Sequence, residues 1–66
     1  MYLNQMRKLR ISKNMTLEEL SEKTGISAGY LCHLEKGTRK NPSARVMEII
    51  ALELGQTVSE VFFTKM

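Results

Sequence analysis

The chain has 66 residues, 42% of them apolar and 26% charged, with ten Lys and Arg against seven Glu, no Asp and a net charge of +3. This length supports one core, and the balance is that of a folded globular chain and not a disordered one. There is no apolar run of about 18 residues, no basic stretch leading into an apolar leader, and only one Cys and one His, which argues against a membrane span, a secretory signal, an internal disulfide and a structural zinc site, and for a reducing cytoplasm.

Helical spacing of apolar residues recurs in every segment, and period-two alternation does not. Tyr2, Leu3, Met6, Leu9 and Arg10 fall along one side of a helix expected from about residue 2 to 13, and Asn14, tolerant of positive φ, closes it. This segment carries Arg7, Lys8, Arg10 and Lys13 and no acid. Thr16 stands three residues before Glu19, a capping-box spacing, with Met15 and Leu20 placed as a hydrophobic staple. The spacing predicts a second helix over 17–23, stopped by Thr24 and Gly25. Ser27 caps a third helix that presents Tyr30, Leu31 and Leu34 at core spacing and ends at Gly37. From Lys36 to Arg45 the chain carries Lys36, Arg39, Lys40 and Arg45 with no acid, and Asn41-Pro42 makes this partly a loop. A basic loop beside a helix end can bind phosphates; a solvated surface is the plainer alternative.

Ser43, behind Pro42, opens a fourth helix whose apolar face is Val46, Met47, Ile50, Ala51 and Leu54, closed by Gly55. Thr57 and Glu60 repeat the capping box for a last short helix with Val58, Val61 and Phe62. The expected architecture is all-α: five short helices, none stable alone, meeting in one shared core across a single domain of residues 1–66. Met6, Met15 and Met47 read as core filler, with no cofactor or metal implied.

The stretch from Leu17 to Lys36 carries the function. Two short helices separated only by a Gly-containing turn must cross steeply, and Leu20, Ile26, Leu31 and Leu34 are spaced to fill the wedge between them. Gly25 stands where the turn needs positive φ, and Ser21 is small where the helices approach. Such a pair leaves the outer face of the second member open for a DNA major groove.

M-T-L-E-E-L at the second helix, T-G-I-S at the turn, L-x-x-L-E-K-G after it, N-P-S before the fourth helix and L-G-Q-T-V-S-E-V-F near the end occur in order and at matching separations. In these motifs the chain resembles the helix-turn-helix regulators of the phage lambda repressor and Cro type, from about Met6 to Phe63. The resemblance implies a compact five-helix domain whose second helix lies across the DNA backbone and whose third reads bases. It places Ser27, Ala28, Gly29 and His33 on base-facing positions and brings Thr16, Leu17, Tyr30, Lys36, Thr38, Arg39, Lys40 and Asn41 toward phosphates. It also pairs Arg10 with Glu35 across the core edge as a structural ion pair.

Departures from the family pattern shift the weight of readout. Leu17 stands where the family often has Gln, so the backbone and Thr16 are what that end offers a phosphate. Ala28 and Gly29 cannot make bidentate base contacts but can pack on thymine methyls or admit a close approach, leaving readout to Ser27, His33, Tyr30 and DNA shape. Gly29 is read equally as mere tolerance near a helix start, His33 as an idle surface residue, and Tyr30 as a core residue. Cys32 reads as a bystander. Phe62 and Phe63 point about 100° apart in a helix, so one packs inward; Val58, Phe62 and Phe63 together form the candidate dimer patch. The function expected is a cytoplasmic, sequence-specific regulator, a repressor, that binds a palindromic double-stranded DNA operator as a homodimer. The alternative is a protein-interaction module or antitoxin-type subunit on the same fold; catalysis is disfavoured.

Overall fold

A computed structural model describes residues 5–38 and 42–63. Five helices appear among them: α1 (Met6–Ser12), α2 (Leu17–Thr24), α3 (Ala28–Lys36), α4 (Ala44–Glu53) and α5 (Val58–Phe62). The boundaries follow side chains that satisfy the first free amides of each helix. Thr16 Oγ1 accepts from Glu19 N at 3.0 Å while Glu19 Oε1 accepts from Thr16 N at 2.8 Å, a complete capping box. Thr57 and Glu60 form the same pair at 3.1 and 2.9 Å. Ser27 and Ser43 cap α3 and α4 by accepting from Tyr30 N and Val46 N.

Helix ends are equally local in origin. Asn14 (φ 55°) follows α1, with Asn14 N donating to Ile11 O and Met15 N to Arg10 O, the paired bonds of a Schellman ending. Gly37 (φ 77°) ends α3 with the same pairing, Gly37 N to Leu34 O and Thr38 N to His33 O.

Two expected boundaries move: α2 runs through Thr24, one residue beyond its expected end, and the larger shift is at α1. The first helix starts at Met6 and not near residue 2, because Gln5 has a non-helical ψ of 12° and its amide donates to Val61 O at 2.6 Å. That bond ties the entry of α1 to α5. Tyr2 and Leu3, expected on the apolar side of this helix, lie outside the described residues.

The core draws on every helix: Met6, Leu20, Leu31, Leu34, Ile50, Ala51, Leu54, Val61 and Phe62 are buried, with Leu9, Met15, Leu17, Ile26, Tyr30, Val46, Met47 and Val58 packed around them. α2 packs on α3 and α4, α4 on α5, and α1 on α3 and α5, so α3 is held from one side by α1 and α2. The buried set contains no polar or charged residue among those described. Such packing is strong but non-directional, so the orientation of α3 needs another source.

Gly25 supplies part of it. It takes φ 76° between α2 and α3, and its amide donates to Ser21 O at 2.8 Å. Thr24 stitches the same turn, its hydroxyl donating to Leu20 O at 2.8 Å and accepting from Ile26 N at 3.2 Å. A methyl group on Gly25 would meet nothing within 4 Å, so only the backbone conformation resists a side chain there. Gly25→Ala is expected to cost about 1–2 kcal/mol, seen as a thermal midpoint lowered by about 4–8 °C per kcal/mol for a domain of this size; an unchanged midpoint would show that the left-handed turn is not strained by Ala.

Candidate nucleic-acid interface

α3 divides cleanly by exposure. Leu31 and Leu34 face the core, whereas Gly29, His33 and Lys36 are exposed, at the i, i+4, i+7 spacing that lines one side of a helix. Ser27, also exposed, stands at the head of this stripe. Ala28 is half-buried at its edge, and Tyr30 is half-buried and packed against the core.

The stripe is held out by an ion pair at the other edge of α3. Arg10 Nε donates to Glu35 Oε2 at 2.7 Å and Nη2 to Glu35 Oε1 at 3.2 Å, a bidentate fork. Nη1 donates to Met15 O at 2.7 Å, so one guanidinium joins α1, the turn before α2 and the last turn of α3. The side chains are only 11% and 5% exposed. The hydrogen bonds to Glu35 raise the Arg10 pKa above its already high ordinary value, outweighing the opposing effect of burial. This is the pair that the resemblance implied, and it makes Arg10 structural and unavailable to a polyanion.

Lys13 is also turned aside. A Cβ placed on Gly55 would lie 3.4 Å from Lys13 Nζ, so this ammonium sits over the C-terminal end of α4, where carbonyls concentrate negative potential. Arg7, Lys8 and Lys13 are all exposed, and Arg10 alone of the first segment's basic residues is drawn inward.

The expected contact residues at the start of α2 also have partners within the fold. The Leu17 side chain packs against the core, so only its backbone can meet a phosphate. The first turn of α2 contains Glu18 and Glu19, and the Glu19 carboxylate already occupies the Thr16 amide, which sets negative charge where phosphate was expected. By contrast α3 and α4 carry no acid in their first turns. Ser43, Ala44 and Arg45 are all exposed at the start of α4, directly after the basic loop. Arg45 belongs to the basic cluster of the sequence but to none of the expected contacts, and the acid-free first turn behind Ser43 is the signal that singles it out. Arg39, Lys40 and Asn41 lie outside the described residues.

Phe62 is 2% exposed and part of the core, which corrects its place in the candidate dimer patch. Val58 is half-buried against that core. Phe63 is 54% exposed, as is Leu52 on α4 at 75%. Among the described residues no group of three His, Cys, Asp or Glu converges as a metal site, and no helix is long and apolar enough to cross a membrane.

The family model for the helix-turn-helix matches residues 6–61. The chain is 38% identical over 56 residues to the transcriptional regulator ClgR of Mycobacterium tuberculosis, covering 85% of this chain and 49% of that protein. It thus spans about half the length of the curated relatives it matches. Among solved structures it is similar to SinR, described as a master regulator for biofilm formation, in complex with DNA, with a TM-score of 0.78 and 31% identity over 82% of this chain and 86% of that one. A SinR–SinI complex matches with the same TM-score and identity, over 83% of this chain and 53% of that one.

Two variants test the geometry. Glu35→Ala leaves Arg10 buried and unpaired and is expected to lose about 3 kcal/mol, whereas Arg10→Met with Glu35→Leu recovers most of it; denaturation midpoints of the single and double variants measure this, and equal losses would deny the coupling. Gly29 has helical φ and open space around it, so Gly29→Ala is expected to stabilise the fold by about 0.5–1 kcal/mol, read as a raised thermal midpoint.

Proposed function

The chain belongs to the helix-turn-helix family of the lambda repressor and Cro type, and on that footing we propose that it is a sequence-specific transcriptional regulator, a repressor, that occupies a double-stranded DNA operator as a homodimer. Residues 1–66 act as one DNA-binding domain, in the cytoplasm, and as a binding protein and not a catalyst. α3 enters the major groove with Ser27, Gly29 and His33 toward the bases and Ala28 at the margin. Lys36, Arg39, Lys40 and Asn41, joined by Arg45 and the start of α4, take phosphates.

The observation that carries this reading is the exposed Gly29–His33–Lys36 stripe, backed by buried Leu31 and Leu34 and fixed by the Arg10–Glu35 fork. Its similarity to ClgR and to SinR in complex with DNA supports the same use. Phe63, exposed beside the core residue Phe62, supports a dimer contact at the end of α5. Two-fold symmetry then suits half-sites about one helical turn of DNA apart.

A protein-interaction module or antitoxin-type subunit is the second reading, favoured by the exposed Leu52 and Phe63 and by a SinR–SinI complex among the similar structures. Capture of a protein partner with no gel shift on duplex DNA selects it over the first.

Binding isotherms across a salt series test the regulator reading. About four phosphate contacts per subunit give a dimer a log–log slope of about −7, at about −0.9 per contact. Arg39→Ala with Lys40→Ala is expected to weaken binding evenly across sequences and flatten this slope, whereas His33→Ala changes which base is preferred. A salt-independent isotherm on duplex DNA ends the proposal.

A further inference from the structure

The ring of His33 is tethered although it is exposed. Its Nδ1 lies 2.9 Å from Thr38 Oγ1. The same hydroxyl lies 3.2 Å from His33 O, to which Thr38 N also donates at 3.1 Å. The turn at Gly37 (φ 77°) folds Thr38 back over the end of α3, so this geometry belongs to the helix ending itself.

A threonine hydroxyl carries one hydrogen, and a neutral imidazole carries one N–H. If the hydroxyl hydrogen went to Nδ1, Oγ1 and the His33 carbonyl would face each other at 3.2 Å as two acceptors with no hydrogen between them. If the hydroxyl donates to the carbonyl, Oγ1 is left to accept from Nδ1–H, and both short contacts become hydrogen bonds. Only the second arrangement places a hydrogen in both short contacts. It puts the ring proton on Nδ1 and leaves Nε2 with its lone pair.

We propose that Thr38 is a positioning residue that holds His33 in its Nδ1–H form, so that the outer face of α3 presents Nε2 as a hydrogen-bond acceptor to an exocyclic amino group, adenine N6 or cytosine N4. In the major groove only these two groups donate; guanine N7 and O6 and thymine O4 accept, and an accepting Nε2 disfavours them. Thr38 thus acts on base choice through His33, in place of the phosphate contact expected of it. The base-reading half rests on the regulator reading above; the tautomer half does not.

The free protein tests the tautomer. Long-range proton–nitrogen NMR of the imidazole in mildly alkaline buffer is expected to show His33 carrying its proton on Nδ1. Thr38→Val should shift it toward the Nε2–H form and Thr38→Ser should restore it, with backbone spectra confirming an intact fold in each. A ring protonated on Nε2 in the unmodified protein overturns the proposal. Selection of bound sites from random duplexes tests the consequence: Thr38→Val is expected to lose about three- to tenfold in discrimination at one base pair per half-site, an A or C on the contacted strand, with non-specific affinity unchanged. A uniform loss of affinity with base preference intact marks Thr38 as a phosphate contact and overturns the base-reading role. No sequence preference by the unmodified protein overturns that role together with the regulator reading, while the NMR result judges the tautomer by itself.

Discussion

A single guanidinium sets the geometry on which the rest depends. Apolar burial gathers the five helices but does not specify the angle at which α3 leaves the surface. Arg10 does: its planar fork meets Glu35 in the last turn of α3 while its remaining nitrogen meets the Met15 carbonyl just before α2. Five donors in a rigid plane cannot satisfy both partners from many directions. Rotating α3 about its axis, or sliding it along α2, would strand a carboxylate and a guanidinium that are 5% and 11% exposed. Desolvation makes that costly, so the pair acts more on uniqueness than on total stability.

The same pair redistributes charge. Read as a string, the basic residues form two clusters of similar weight, and a polyanion has no reason to choose between them. In the fold, Arg10 is neutralised by Glu35 and Lys13 lies over the end of α4. The start of α2 is acidic and self-capped, while α3 and α4 begin without acids. The cations that keep neither an ion pair nor an acidic helix start beside them include Lys36 at the end of α3 and Arg45 in the first turn of α4, both exposed. A net charge of +3 is small, but its arrangement makes it directional.

Much of the architecture was legible because it is encoded within four or five residues. Thr16 with Glu19, Thr57 with Glu60, Ser27, Ser43, Asn14 and Gly25 all act on backbone groups in their own turn, and each marks the boundary that its spacing predicts. Contacts between distant segments were legible only through resemblance, as with Arg10 and Glu35, or not at all. The start of α1 depends on a bond from Gln5 to Val61, and nothing near Gln5 in sequence announces it. Adjacent Phe62 and Phe63 have equal hydrophobicity, and only the packing of α5 against α1 and α4 decides that Phe62 is the buried one. Thr38 read as one more polar residue of the basic loop because its partner, the His33 ring, is reached only after the chain reverses at Gly37.

Of the two glycines that flank the start of α3, Gly25 favours the fold and only Gly29 gives up stability. Both have open space where a side chain would stand, yet only Gly25 takes a backbone conformation that a side chain resists. Gly29 sits in an ordinary helical turn, where Ala would favour the fold. No contact within the described chain uses its missing methyl group, so any demand for glycine there comes from outside the described chain. A groove floor pressed close against the backbone of α3 is such a demand. It also suits a helix whose first turn offers Ala28 and Gly29 in place of long polar side chains, and on the proposed reading shape and close approach share the discrimination with His33, whose ring the fold holds against Thr38.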